Sequence, residues 1–257
     1  MINNSTVIAV ANQKGGVGKT TTAVNLSCAL ALRNKKTLLI DSDPQGNASS
    51  GVGIKVNKRD KNLYHVLCGN SSIEDVVQKT SVKKLSVIPS TIDLVAAEIE
   101  LISQKSREKY IKKLLKPILS EYDYIFIDCP PSLGLLTVNA LTASRSVLIP
   151  MQCEYYAMEG LAQLINTVRS VKSSFNKQLY IEGLLLTMFD KRNRLSHQVS
   201  DEIYNHFGDQ TFKTRIPRNV RLSECPSHGK TIMEYDIKST GAQAYRALAL
   251  EFLKRQE

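Results

Sequence analysis

The sequence lacks most features that would place a protein in a membrane, outside the cell or on a metal scaffold. No apolar run approaches the ~18 residues that a membrane span needs. The N-terminus has no basic region followed by a long apolar segment, so neither a spanning nor a secreted chain is expected. The five cysteines, Cys28, Cys68, Cys129, Cys153 and Cys225, are odd in number and form no C-x-x-C pair, which argues against a disulfide framework and a zinc knuckle. Reduced, mostly buried thiols are the reading that remains. His65, His197, His206 and His228 show no metal-ligand spacing. There is also no Pro/Gly/Ser-rich linker, internal repeat or low-complexity tract. With 257 residues and 42% hydrophobic content, the expectation is one large domain over 1–257.

Acidic residues are in deficit, with 24 Asp and Glu against 34 Lys and Arg, for a net charge of +10. That excess implies a polyanionic partner. Two clusters could carry it: Lys191, Arg192 and Arg194, and Lys213, Arg215, Arg218 and Arg221. A third run, Lys105, Arg107, Lys109, Lys112, Lys113 and Lys116, falls in an amphipathic helical pattern and reads as a solvated face.

Strand-like runs at 7–11, 37–40, 85–88, 124–127, 146–150, 181–188 and 211–216 alternate with helical patterns at 21–33, 93–119, 135–143, 158–172, 196–207 and 240–254. Several of the strands are nearly all apolar, as strands covered on both faces are. The pattern predicts an α/β fold, a doubly wound and mainly parallel sheet with helices on both faces. Ligands in such sheets bind at the carboxyl ends of the strands. There the sequence puts Lys14-Gly15-Gly16-Val17-Gly18-Lys19-Thr20-Thr21, between the first strand and the first helix. A glycine-rich turn opening a helix offers backbone N–H groups to phosphates, Lys19 reaches the terminal phosphates, and the Thr20 hydroxyl serves Mg²⁺. Asp41, Asp43 and Asp128 each follow a strand onto the same rim. Asp128 is placed to hold Mg²⁺. Asp41 and Asp43, two residues apart, point to opposite faces if the chain stays extended and so serve different purposes.

The loop departs from G-x-x-x-x-G-K-[ST]: Gln13 stands at the first glycine position and an additional lysine, Lys14, follows it. This K-G-G-V-G-K-T-T loop resembles the deviant P-loop of the ParA/MinD ATPases. So do Leu38-Leu39-Ile40-Asp41-Ser42-Asp43-Pro44-Gln45-Gly46-Asn47, the Walker B-like Ile125-Phe126-Ile127-Asp128-Cys129-Pro130-Pro131-Ser132-Leu133-Gly134, and the segment around Ile216 to Lys230, which is similar to the chromosomal branch often called Soj. The resemblance spans nearly the whole chain. It implies a P-loop NTPase with ATP and Mg²⁺ as cofactors, Lys14 reaching a partner's nucleotide across a homodimer, Asp43 orienting the attacking water and Asp41 supporting the metal shell. It also implies Pro217 and Asn219 near the adenine, with a Pro-Arg-Asn β-turn as the local alternative reading. Its partners would be nonspecific double-stranded DNA, contacted by Arg192, Arg194, Arg218 and Arg221, and a ParB-like centromere-binding protein, at the nucleoid in the cytoplasm. Lys14 lies so near the N-terminus that no helix-turn-helix is expected ahead of it. A MinD-like membrane ATPase is the alternative, but the alanine-rich tail reads as a packed last helix, so no stable membrane association is expected. An iron–sulfur reductase would need a matched cysteine pair, for which only Cys129 and Cys153 are candidates. Gly229-Lys230-Thr231 mimics a P-loop end but has no strand before it.

Overall fold

The computed structural model describes residues 5–154 and 157–257. Its sheet has seven strands in the order β3-β4-β2-β5-β1-β6-β7: β1 (Thr6–Val10), β2 (Thr37–Asp41), β3 (Gln78–Lys79), β4 (Leu85–Ile88), β5 (Tyr124–Asp128), β6 (Ser146–Gln152) and β7 (Tyr180–Thr187). Every neighbouring pair is parallel except β3 with β4. The longer helices are α1 (Lys19–Ala31), α2 (Leu94–Ile102), α3 (Leu135–Ala143), α4 (Ala157–Ser174), α5 (Arg194–Phe207) and α6 (Thr240–Arg255).

The two-residue period of a strand sorts its side chains between two cores. Val7, Ala9, Leu38, Ile40, Ile125 and Ile127 pack with Ala97, Leu136, Leu164 and Ile203 on the α2, α3, α4 and α5 side. Ile8, Val10, Leu39 and Phe126 pack with Leu26, Leu30, Leu248 and Phe252 on the α1 and α6 side. The tail helix therefore belongs to the core. Its Tyr245, Leu248, Ala249 and Phe252 are buried, and Ser239 caps it by accepting from the Ala242 N–H at 3.2 Å. No helix among the described residues is long and apolar enough to cross a membrane.

Two expectations need correction. Residues 211–216 form no strand. The Phe212 and Ile216 N–H groups bond to the Leu184 and Leu186 carbonyls of β7, so the segment spends four residues where β7 spends two. The slack loops outward because the Lys213 and Thr214 N–H groups donate to the Glu251 carboxylate, at 2.7 and 2.8 Å. Nor is 93–119 one helix. Ser106 sits at φ 56°, and the chain continues as short turns and a six-residue helix, Tyr110–Leu115. Asn139 on α3 stabilises the break, donating to the Arg107 carbonyl at 2.7 Å and accepting from the Ile111 N–H at 3.3 Å. The lysine run from 105 to 116 is thus spread over several short elements, and the antiparallel edge strand β3 had no sequence signal at two residues long.

Candidate functional site

The loop after β1 is shaped by two glycines in the left-handed region, Gly16 at φ 72° and Gly18 at φ 85°, where a side chain would be strained. Gly18 is also the N-cap of α1, which has no side-chain cap and no acidic residue in its first turn. Its free N–H groups and dipole are available to an anion. The loop is braced from outside. Asn12 donates to the Pro150 carbonyl at 2.7 Å and accepts from the Lys14 N–H at 3.0 Å, Thr187 donates to the Val17 carbonyl at 2.7 Å, and Gln152 donates to the Gly16 carbonyl at 2.9 Å.

The two lysines behave differently. Lys19 is 7% exposed, and its ammonium donates to the Lys14 carbonyl at 3.0 Å. Burial lowers its pKa, while the charges of Asp128, Cys129 and Asp43 pull the other way. Lys14 turns outward, its side chain 40% exposed, into an ion pair with Glu154 at 2.5 Å.

Parallel register puts Asp41 directly beside Asp128 at the carboxyl ends of β2 and β5. Both are fully buried, but only one is satisfied. Asp41 accepts from the Ser49 N–H and hydroxyl, each at 2.7 Å, and from the Asp43 N–H at 3.2 Å. Neither carboxylate oxygen of Asp128 has a hydrogen-bond partner. Burial first, and then the charge of Asp41, raise the Asp128 pKa well above the carboxylate range, with the Thr20 hydroxyl and Lys19 opposing. An orphaned buried carboxylate beside a threonine hydroxyl fits a divalent cation, and Mg²⁺ commonly takes one or two carboxylates with substrate phosphates completing its shell. Asp43 lies in the turn beyond, 8% exposed, accepting from the Gln45 N–H at 2.9 Å.

Sequence reasoning missed the group beneath that turn. Arg59, 4% exposed, donates to the carbonyls of Gly46, Ser90 and Ile54 and to the Ser50 hydroxyl, at distances from 2.7 to 3.3 Å. Ser90 in turn donates to the Asp43 carbonyl at 2.6 Å. No local pattern marks Arg59, because its partners come from a turn and a strand end brought together only by folding. Arg59→Met should leave several carbonyls unsatisfied and cost about 3–5 kcal/mol in urea unfolding. Parental stability would show that water replaces the guanidinium.

Beside the loop lies a cavity of about 430 Å³ whose lining includes Gly18, Thr21, Pro217, Asn219 and Tyr245. Pro217 and Asn219 therefore stand where a ligand on the loop could extend. Asn219 also makes structural hydrogen bonds. Its carbonyl oxygen accepts from the Leu222 N–H at 3.2 Å, and its nitrogen donates to Thr240 at 2.8 Å, so it is also the N-cap of the short helix that follows. The four arginines singled out for DNA divide. Arg192 and Arg218 line one groove together with Lys191 and Arg215. Arg194 begins α5 outside that groove, as does Arg221, which is paired with Glu224 at 2.9 Å and Asp236 at 3.7 Å, while Arg192 is paired with Asp190 at 3.2 Å. Arg215 is stacked over Phe189, 4.6 Å from the ring centroid. The Gly229-Lys230-Thr231 mimic is a helix start, with Thr231 in a capping box with Glu234. All five cysteines are free, and Cys129 and Cys153 are buried.

Comparison with known proteins agrees with this geometry. A family described as AAA domain matches residues 5–181. The chain is 56% identical over 245 residues to the sporulation initiation inhibitor protein Soj of Bacillus subtilis, covering 95% of this chain and 97% of that one. It is 54% identical over 249 residues to the chromosome partitioning protein ParA of Myxococcus xanthus, covering 97% and 88%. Among solved structures, a cobyrinic acid a,c-diamide synthase from Mycobacterium smegmatis with bound ADP and magnesium superposes with TM-score 0.86 at 34% identity, covering 98% and 95%. The cell division ATPase MinD of Pyrococcus furiosus gives TM-score 0.80 at 25% identity, covering 97% and 99%. With a deviant phosphate loop on a seven-stranded P-loop sheet and half or more of its residues shared with such relatives over nearly their whole length, the chain belongs to the ParA/Soj family of chromosome-partitioning ATPases.

Proposed function

We propose that this chain is a single-domain, Mg²⁺-dependent ATPase that assembles with a second copy around ATP, binds duplex DNA without sequence preference, and is released when a ParB-like partner stimulates hydrolysis. The observation that carries the assembly reading is the division between the lysines. Lys19 is buried in its own loop, whereas Lys14 faces outward to Glu154 and is available to a nucleotide held by another subunit. In this reading the amides of Gly15 to Thr21 and the Lys19 ammonium bind the phosphates. Thr20 and Asp128 would hold Mg²⁺, which would supply positive charge beside the phosphates. Asp41 organises the turn through Ser49, so that Asp43 stands ready to orient water. Pro217 and the cavity wall take the base. The relatives named for chromosome partitioning, at 54% and 50% identity, favour the DNA role over the chemistry named for the 34%-identical synthase. The packed tail helix disfavours a MinD-like membrane anchor.

The test is a salt series on two unrelated duplexes with ATP, ADP and no nucleotide, using an Asp43→Ala variant that retains ATP. Affinity falls with salt at a log–log slope of about 0.9 per neutralised phosphate, and a dimer doubles the contacts. ATP should therefore raise both the affinity and the slope. Arg218→Glu should weaken both duplexes alike, because phosphate contacts carry no sequence information. Salt-insensitive binding, or binding to one duplex only, would refute this reading. Binding to anionic vesicles in place of DNA would favour the membrane alternative.

A further inference from the structure

Four lysines gather at the end of the sheet away from the phosphate loop. Lys36 immediately precedes β2, Lys84 immediately precedes β4, and Lys83 stands just before it. Because β2 and β4 run parallel to the rest of the sheet, these positions lie at the amino ends of the strands, about 17 Å of strand from the rim. β3 runs the other way, so its last residue, Lys79, is level with Ser86 near the start of β4. The four line one open groove of about 630 Å³, with Ser86, Ser120, Glu121 and Tyr122 on its other walls.

All four lysines are exposed, and none makes an ion pair among the described residues. Glu121 is the acidic residue on the groove wall, and the nearby Asp123 carboxylate accepts from the Lys36 backbone N–H at 2.7 Å. A lysine on an edge strand deters pairing with another chain, which accounts for Lys79. It does not account for the three lysines that precede β2 and β4. Lys84 sits at φ 69°, a conformation that favours glycine or asparagine, and its ammonium donates to the carbonyl of Asn34, itself at φ 65°, at 3.2 Å. That bond fixes the ammonium beside the groove and leaves two of its three N–H donors available.

Resting on the DNA-binding reading above, we infer that this groove is a second contact site for the phosphodiester backbone of duplex DNA, one that each subunit carries whatever nucleotide it holds. Exposed lysines gain little from a single small anion in water, whereas a polyanion that they neutralise at several phosphates releases its condensed counterions. The ligand is therefore a polymer. A phosphodiester ridge enters a concave wall of lysines, which a flat bilayer spans. Ammonium groups are point charges without the planar fork that reads guanine, so the contact positions DNA and does not select its sequence. The groove also lies at the β3 edge and the amino ends of the strands, whereas Lys191 and Arg192 follow β7 at the other edge and the other end. A nucleotide or a second subunit on the rim leaves it uncovered. A subunit separated after hydrolysis would then keep a weak, salt-sensitive hold on DNA.

The experiment compares the parent chain with the double variant Lys36→Gln and Lys83→Gln, with Lys84→Asn, which suits the left-handed backbone, and with a control of equal charge loss elsewhere, Lys109→Gln and Lys112→Gln. Binding to two unrelated duplexes is titrated over a salt series with ADP and with ATP. Thermal melts read folding, and ATP turnover without DNA reads the nucleotide site. With ADP at low salt, the groove double variant should bind both duplexes about tenfold more weakly, with a log–log salt slope shallower by about 1.8, and Lys84→Asn by about 0.9. Melting and turnover should stay parental, and the control should keep the parental slope. If the double variant keeps that slope, or the control loses as much, the groove makes no specific contact with DNA and the inference fails. It fails too if the double variant loses binding to phosphatidylglycerol vesicles while its DNA slope is unchanged. A parent that binds DNA with ATP but not at all with ADP overturns the claim of a site in each subunit. A parent that binds neither duplex in any state sinks the DNA-binding reading itself, an outcome distinct from binding indifferent to Lys36 and Lys83.

Discussion

Lys19→Ala should lose measurable nucleotide binding while the fold survives. The Lys19 ammonium is buried among the loop carbonyls, next to the unpartnered carboxylate of Asp128. Lys14 is turned away to Glu154 and cannot substitute for it. Charge-assisted contacts to phosphate in so shielded a place are worth about 3–4 kcal/mol together, which corresponds to roughly 10²–10³-fold in affinity. The loop itself is held by Asn12, Gln152 and Thr187, none of which depends on Lys19. The melting temperature should therefore change little. A titration with fluorescent ATP, alongside a circular dichroism melt, reads both quantities. A variant that binds ATP like its parent would show that the amides suffice and that the role given to Lys19 is wrong.

Lys14→Ala should do the reverse, keeping nucleotide and losing assembly. Its ammonium makes only an exposed ion pair with Glu154, and exposed pairs contribute roughly 0–1 kcal/mol, so folding and monomeric ATP binding should be near parental. Across a two-fold interface the same ammonium would meet a partner's phosphates in a water-excluded seam, where a cation acts as an arginine finger does. Removing it from both copies should abolish the ATP-dependent dimer in light scattering and bring turnover down by at least about 10²-fold. An unimpaired dimer would leave Lys14 as a partner of Glu154 alone.

The fold was legible wherever apolar periodicity was strong. β1, β2, β4, β5, β6 and β7 lie within about two residues of their expected positions, because strands covered on both faces must be continuously apolar. The reading failed at 211–216, where the distant Glu251 competed for backbone N–H groups, and at 93–119, where Asn139 rewarded a break that helical periodicity does not register. At the site, the phosphate loop and Asp128 were evident because phosphate chemistry demands glycine, lysine, threonine and a strand-terminal carboxylate at fixed spacing. Among the basic residues, counting could not separate Arg192 and Arg218, which line one groove, from Arg194 and Arg221, which lie outside it.

Sequence alone determined the parallel sheet, the rim on which the loop and three aspartates gather, and the family to which the chain belongs, since each depends on residue type and local spacing. Tertiary structure decided which of two equally buried aspartates is free. Asp41 accepts from Ser49, whereas neither oxygen of Asp128 has a hydrogen-bond partner, a difference that no spacing encodes. It also decided that Arg59 underpins the Asp43 turn and that Asn219 caps a helix. It left Val95, Ile99 and Ile102 facing outward, because only the Leu94, Ala97 and Leu101 side of their helix packs on the core.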